Sequence, residues 1–174
     1  FVALDPWYRF YFYDKSSFDY CRTVQDTKLE IKKFSKNDAE GYEKLLKISK
    51  DIFDIGFTQL SDKPFNSFWF MCKQIPALIK LKAHLTVSQL VGRYLKNPKI
   101  RSAFSIHPLL VGGNPFNTTS IYALIHYLER NWGVYFCMGG TGKIITELKK
   151  LMLRQKIEIK LNIDIKNVNI ESGK

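Results

Sequence analysis

The chain has 174 residues and a mass of 20.3 kDa, and its 27 Lys and Arg against 16 Asp and Glu give a formal charge of +11. Hydrophobic residues make up 45% and charged residues 25% of it. This excludes a disordered chain or a collagen-like repeat, because both lack the apolar surface of a packed core. Aromatic residues are dense at 14%, so they either fill a core or line a site for an apolar molecule.

The two ends of the chain and its cysteines limit the classes of protein that it can belong to. The chain begins with Phe1 and ends in a polar stretch, so we expect an internal piece of a longer protein. Cys21, Cys72 and Cys137 form no CxxC pair and have no His at ligand spacing, so neither a disulfide framework nor a metal site is indicated. A reducing, cytoplasmic compartment fits this pattern. No apolar run approaches the roughly 20 residues that span a bilayer, so any membrane contact is expected to be peripheral.

The first predicted elements are a hairpin and a long helix. Residues 7–13 and 18–21 have the aromatic-rich pattern of two strands joined by a polar turn. Ser35 and Asn37 are candidate N-caps, and apolar residues recur at helical spacing after them. This pattern predicts one long helix over residues 38–60.

A second aromatic cluster follows Pro64 and is expected to begin another helix. Between residues 75 and 95, an apolar face lies beside the cations Lys80, Lys82, Arg93 and Lys96. A membrane-surface helix has this pattern, and so does an ordinary helix that faces a core. The positive charge of the chain likewise suits an anionic partner or a plain solvated surface.

The second half of the chain is predicted to alternate helices with strands. Residues 99–110 have the pattern of a short helix, and residues 111–116 that of a loop. Thr118, Thr119 or Ser120 then caps a helix that Gly133 ends. The remaining elements are, in order, a strand at 134–137, a glycine turn at 139–142, a helix at 143–154 and a strand from 157 towards 168.

The glycine run at residues 139–143 invites comparison with a phosphate-binding loop. The spacing fails, because Cys137 and Ile144 stand where a Walker loop requires Gly and Ser or Thr. A Rossmann fingerprint fails too, since the third glycine is missing. A tight turn, where glycine tolerates the backbone angles, is the favoured interpretation.

The three histidines and the basic residues indicate no further chemistry. His84, His107 and His126 are far apart and have no nucleophile context, so no hydrolytic triad is indicated. His107 precedes Pro108 and is interpreted as a helix-end or core histidine. No RNP1 signature or glycine-flanked basic stretch is present, so no nucleic-acid partner is expected.

Several runs of the second half carry a resemblance to a known family. They are RSAFSIHPLLVGGNPF at 101–116, TSIY at 119–122, LER at 128–130, WGV at 132–134 and GGTG at 139–142. In this order they are similar to the bacterial-type phytoene desaturases, in the carotenoid/retinoid oxidoreductase family. Weaker collinear similarity extends back to Pro6, so the resemblance covers essentially the whole chain.

The resemblance implies a fold of the α+β class. It would be a mainly helical substrate-domain segment with an N-terminal antiparallel hairpin and C-terminal strands, part of an FAD-dependent, amine-oxidase-like flavoprotein. Residues 1–174 would be its central substrate-binding region, with the Rossmann half and the C-terminal part outside the chain. The implied reaction is the dehydrogenation of phytoene towards lycopene in carotenoid biosynthesis, by hydride transfer from an allylic carbon to flavin. We therefore expect an oxidoreductase acting on CH–CH bonds, whose isolated segment is inactive.

The resemblance also implies site residues. Lys73 lies two residues after Met71, where family members carry Arg, and is the expected catalytic cation. Gly140 and Ile165 are expected to contact FAD. A polyene has no polar atoms, so its recognition requires an apolar tunnel. The residues expected to contact this substrate are Phe68, Trp69, Asn114 and Phe116.

Partners and alternatives follow from the same resemblance. Phytoene is delivered from lipid, which implies a peripheral membrane surface as partner and makes residues 75–95 a candidate membrane-facing element. A diapophytoene desaturase or a carotene isomerase fits the same motifs, because motifs do not report substrate length. A non-catalytic, basic membrane-binding module is the alternative from another class, and the motifs define no oligomeric state.

Overall fold

The structure is a computed structural model that describes residues 1–59, 76, 79 and 81–169. Backbone contacts divide it into two compact units. The larger unit is Ala3–Tyr135, and the smaller unit combines Phe1–Val2 with Phe136–Lys174. Two-residue strands, β1 (Val2–Ala3) and β4 (Tyr135–Phe136), lie where the units divide.

The predicted hairpin is confirmed at the start of the larger unit. Its strands are β2 (Tyr8–Tyr11) and β3 (Ser17–Tyr20), paired antiparallel with Tyr8 opposite Tyr20. Phe18 and Tyr20 alternate with exposed or half-buried neighbours and are buried, as expected for a sheet with one face on the core. The hairpin therefore delivers aromatic rings to the interior.

Two helices follow the hairpin. Helix α1 (Val24–Lys32), which the sequence pattern did not predict, begins at Thr23, whose side chain accepts the backbone N–H of Asp26. Helix α2 (Lys36–Ile52) confirms the predicted long helix, with Ser35 as its N-cap. After Ile52 the backbone continues as a π-helix over Phe53–Gln59, so the predicted element changes its hydrogen-bond pattern and not its course.

The next two helices are joined by a turn that is bonded to α2. Helix α3 (Val87–Tyr94) begins with a capping box between Thr86 and Gln89, and helix α4 (Pro98–Phe104) begins at Asn97. Asp38 of α2 accepts the backbone N–H groups of Lys96 and Asn97 at 2.8–3.0 Å. This buried carboxylate fixes the turn between α3 and α4 on the long helix.

The prediction that residues 75–95 form a membrane-facing element is wrong for residues 81–95. Most apolar side chains of this stretch are buried, and Leu85 and Tyr94 are half-buried against the core; the buried ones are Leu81, Val87, Leu90, Val91 and Leu95. They pack in the core because the amphipathic face of α3 meets other helices of the larger unit. The residues between 75 and 80, apart from Pro76 and Ile79, lie outside the described residues.

Single-turn helices and one longer helix complete the larger unit. The predicted helix at 99–110 is divided into α4 and a 3₁₀ turn at His107–Val111. A second 3₁₀ turn at Ser120–Ala123 leads into α5 (Leu124–Trp132). Gly133 ends α5 with φ of 79°, as predicted from its position.

The core of the larger unit is rich in rings, and one glycine sets a close helix crossing. A Cβ atom at Gly41 of α2 would lie 2.0 Å from the carbonyl oxygen of Tyr94 in α3. Only glycine allows these two backbones to approach so closely. The core side chains include Trp7, Phe18, Tyr20, Ile31, Tyr42, Leu45, Val91, Leu95, Ile100 and Phe104.

The smaller unit contains helix α6 (Thr141–Arg154), which confirms the predicted helix, and no residue of α6 is buried. The turn before it has the left-handed backbone that its glycines allow, with φ of 88° at Gly139 and 81° at Gly140. The predicted strand from 157 towards 168 is wrong, since residues 157–169 form no strand. No strand among the described residues pairs with this segment, and alternation alone cannot hold an extended backbone. The chain is thus mixed helix and sheet, but without that C-terminal strand.

Candidate functional site

The loop at residues 112–119, within the run that carries the resemblance, is held by its own turns and by α3. The backbone N–H of Gly113 donates to Pro108 at 2.8 Å, and that of Val87 donates to Thr118 at 3.0 Å. Gly112 has φ of 75°, and a Cβ at Gly113 would lie 2.7 Å from Thr118 Oγ1. Glycine is therefore required at both positions, by backbone angle in one case and by space in the other.

The two predicted substrate residues of this loop have different environments. The Asn114 side-chain oxygen accepts the backbone N–H of Phe116 at 2.9 Å, so it closes an Asx turn. Phe116 is 71% exposed and forms one wall of a small hollow. Within the described residues, the loop therefore presents Phe116 outwards and uses Asn114 to hold its shape.

Behind this loop lies a buried carboxylate. Glu129 of α5 is 8% exposed. One of its oxygens accepts from the Tyr8 hydroxyl at 2.6 Å, and the other accepts from His107 Nε2 at 2.9 Å. Burial, with the hydrogen bond to Glu129, raises the pKa of Tyr8. The carboxylate thus ties the hairpin, the 3₁₀ turn before the loop and α5 together.

His126 lies one turn before Glu129 on the same helix. Its Nε2 atom is 3.0 Å from the Phe104 carbonyl oxygen, and because a carbonyl only accepts, Nε2 carries the proton. The rings of His126 and His107 meet edge to face at 4.0 Å between centroids. Burial lowers the pKa of His126 well below its ordinary value, and the charge of His107 lowers it further to a smaller extent. His107 is buried too, which confirms its interpretation as a core histidine.

Arg130, beside Glu129, is enclosed by rings and oxygen atoms. Its Nε donates to the Tyr42 hydroxyl at 2.7 Å and its Nη2 donates to Thr27 at 2.8 Å. Its Nη1 donates to the Cys21 and Arg22 carbonyls, and its Cζ lies 4.5 Å from the Trp7 and Tyr20 ring centroids. Burial raises the pKa of Tyr42 to about 12, so the guanidinium has a neutral hydroxyl as its acceptor.

This network was not predicted as a site, although its residues were visible in the sequence. Glu129 and Arg130 lie within the quoted LER run, and Glu129 interrupts the region of the predicted apolar stripe. A carboxylate so close to a buried helix face requires a partner, which was the available signal. The predicted Lys73, Phe68 and Trp69 lie outside the described residues.

The aromatic surplus fills the core of the larger unit. Tyr20, Tyr42 and Phe104 have ring centroids 4.9–6.4 Å from one another. Three hollows among the described residues have volumes of about 180, 340 and 450 Å³. The apolar tunnel that the resemblance implies stays a prediction.

Comparison with curated proteins shows which proteins this sequence is similar to. A phytoene desaturase (lycopene-forming) of Pseudescherichia vulneris is 40% identical over 99% of this chain and 35% of its own length. Proteins of the same name from Pantoea ananas and Paracoccus sp. are 39% and 37% identical, over 99% and 98% of this chain and 35% and 34% of theirs. This chain is a homologue of the bacterial-type phytoene desaturases. It spans about a third of the length of these relatives.

Desaturases named for other products are less similar. A phytoene desaturase (neurosporene-forming) is 31% identical, and a 4,4'-diapophytoene desaturase is 25% identical. No family model matches the chain. The resemblance found in the sequence motifs is thus confirmed by relatives aligned along nearly the whole chain.

The family resemblance implies FAD, and the described residues do not form a complete site for it. Gly140 has open space where a Cβ would lie, so its backbone is accessible at the start of α6. Ile165 is 82% exposed on an irregular segment instead of on a strand. Gly140 and Ile165 therefore do not by themselves form an FAD site in the described part of the chain, and their contacts with FAD stay predictions.

Proposed function

We propose that this chain is part of an FAD-dependent phytoene desaturase that dehydrogenates phytoene towards lycopene. The observation that carries the proposal is the 37–40% identity to lycopene-forming desaturases along 98–99% of the chain. The lower identity to a diapophytoene desaturase favours phytoene over the shorter polyene. FAD would be held mainly by the parts of the enzyme that correspond to the relatives' sequence outside the third matched by this chain.

The role proposed for this segment is to supply part of the substrate region. Phe68, Trp69 and Phe116 remain the proposed apolar contacts for the polyene, and Lys73 the proposed catalytic cation. Within the described residues, the Glu129 network supports this role indirectly. It joins the 3₁₀ turn before the loop that carries Phe116 to the hairpin and α5, as a site on a rigid scaffold requires.

We also propose that the enzyme works at a membrane surface in the cytoplasm. The chain is strongly basic, and a polyene partitions into lipid and not into water. No described helix is both long enough and apolar enough to cross a bilayer.

A chimera tests the proposed activity. The homologous segment of the Pantoea ananas enzyme is replaced by this chain, and the chimera is expressed in bacteria that accumulate phytoene. Lycopene formation is the expected result. The unmodified Pantoea ananas enzyme is the positive control, and the chimera carrying Gly41→Ala, which disrupts the α2–α3 crossing, is the negative control. A chimera that accumulates like the parent enzyme but leaves phytoene unchanged would refute the proposal.

A further inference from the structure

A small polar hollow opens beside the exposed loop, in the larger unit. It has a volume of about 180 Å³ and brings together one guanidinium and three hydroxyl groups, with no carboxylate among its lining residues. This composition suits an anion that accepts several hydrogen bonds. The lining residues are Ser88, Pro98, Arg101, Ser102, Ser105 and Phe116.

Arg101 is positioned by a glycine and not by a counter-ion. A Cβ at Gly92 of α3 would lie 2.8 Å from Nη2 and 3.0 Å from Cζ of Arg101, so the guanidinium lies against bare helix backbone. Within the described part of the chain, the Arg101 guanidinium takes part in no hydrogen bond or ion pair. By contrast, Lys99 pairs with Asp14. The structure therefore holds a cation at this hollow without supplying its anion.

The stretch of sequence that supplies the lining of the hollow carries charge of one sign. From residue 81 to residue 128 the sequence has no Asp or Glu, but it has Lys82, Arg93, Lys96, Lys99 and Arg101. Among the described residues, two carboxylates from other elements bond to residues of this stretch. Asp14 pairs with Lys99, and Asp38 accepts backbone N–H groups of Lys96 and Asn97. The local field therefore favours a negative ligand.

An apolar tip adjoins the cation. Ser105 of the hollow is followed by the 3₁₀ turn at His107–Val111, whose last three side chains, Leu109, Leu110 and Val111, are each more than half exposed. Phe116 lines the hollow itself. The Asn114 turn and the Gly113–Pro108 hydrogen bond hold the tip in place. Exposed apolar side chains grouped in this way mark an interaction surface.

We propose that the hollow binds the phosphate of an anionic phospholipid while the tip enters the bilayer interface. Arg101 would supply the charge and Ser88, Ser102 and Ser105 hydroxyl donors, and Leu109, Leu110 and Val111 would contact the acyl chains. The pairing of a single charged hollow with an apolar tip fits a lipid, which has one phosphate and an apolar body. This inference rests on the proposed function only in assuming work at a membrane surface.

Vesicle binding by the 174-residue chain tests the site. The vesicles are phosphatidylcholine alone, or phosphatidylcholine with about one third phosphatidylglycerol. Arg101→Met is compared with Arg93→Met, a matched control that removes the same charge from an exposed arginine outside the hollow. At about 0.15 M salt, we expect Arg101→Met to lower the partition coefficient about tenfold and Arg93→Met about threefold or less. Leu110→Ser, at an exposed position of the tip, should also lower it about tenfold.

Each result decides for or against the site. Circular dichroism first verifies that the variants keep the wild-type fold, as expected for exposed positions. Equal losses in the two arginine variants would show attraction by net charge alone and would overturn the proposal. Absence of binding to phosphatidylglycerol vesicles would overturn it too. Inorganic phosphate is tested separately by thermal shift, and phosphate binding through Arg101 without vesicle binding would refute the lipid as occupant.

The proposed desaturase activity and the proposed lipid site can be refuted independently of each other. The chimera assay can be run with phytoene dispersed in detergent, where no bilayer is present. Lycopene formation there, together with loss of the arginine-specific vesicle binding, would leave the activity intact and remove the lipid site. The reverse combination would remove the activity and leave the lipid site.

Discussion

The hydroxyl of Tyr8 donates to Glu129 across 121 positions of sequence, at 2.6 Å. This bond joins the N-terminal hairpin to α5, and the other oxygen of Glu129 joins His107 to the same helix. A buried carboxylate with two donors is stable as a charge, whereas one that loses a donor is left partly unsatisfied.

Tyr8→Phe is predicted to lower the free energy of unfolding by about 1–2 kcal/mol. The substitution keeps the ring and removes the donor to Glu129. Urea denaturation measures the effect. Tyr13→Phe is the matched control, because Tyr13 lies fully exposed after β2, and it should change stability by less than about 0.5 kcal/mol. Equal effects of the two variants would show that the Tyr8–Glu129 bond adds no stability.

His126→Gln is predicted to flatten the acid dependence of stability. The folded chain holds His126 neutral, because its pKa is lowered, while the unfolded chain protonates it near pH 6.5. The unfolded state thus binds more protons as the pH falls below about 6.5, and stability decreases by up to about 1.4 kcal/mol per pH unit. Glutamine keeps a donor for the Phe104 carbonyl but does not titrate.

The measurement is the unfolding free energy between about pH 6.5 and pH 5.5. His84→Gln is the control, since His84 is exposed, and it should keep the wild-type slope. A wild-type slope in His126→Gln as well would mean that His126 does not contribute to acid sensitivity.

Arg130→Lys is predicted to lower the free energy of unfolding by about 3 kcal/mol. Lysine cannot reproduce the fork that serves Tyr42, Thr27 and two carbonyls together, nor its stacking between rings. Thermal or urea unfolding tests this. Arg22→Lys, at an exposed position, should be nearly neutral, and comparable losses in both variants would contradict the enclosed role of Arg130.

Gly41→Ala is predicted to cost more than about 3 kcal/mol, because the new methyl group would overlap the Tyr94 carbonyl. Gly142→Ala makes the same change in α6, where nothing lies within 4 Å. It should stabilise the chain by about 0.5 kcal/mol through higher helix propensity. Soluble yield and the urea midpoint measure the stability of both variants. A Gly41→Ala chain as stable as wild type would rule out the close crossing.

Local signals predicted much of the fold. Ser35 and Gly133 mark helix ends because a side-chain acceptor and a left-handed residue act within one turn of chain. The strand predicted from residue 157 was wrong because a strand depends on a partner that periodicity does not report. Helix α1 was missed, although Thr23 and Asp26 form an N-terminal cap.

The site was less accessible to sequence reasoning. Asn114 and Phe116 were identified from the motif, but the turn-closing role of Asn114 and the outward position of Phe116 depend on turn geometry. The partners of Glu129 come from residues 8 and 107, so only the folded chain brings them together. Gly92 and Arg101 likewise come into contact only in the folded chain.

The carotenoid composition of cells carrying the Pantoea ananas chimera shows whether this chain can serve in phytoene desaturation. Phytoene is expected to be consumed and lycopene to appear, identified by its absorption spectrum and chromatographic retention. A chimera that reaches the parent enzyme's soluble level and leaves phytoene unconverted would contradict this expectation.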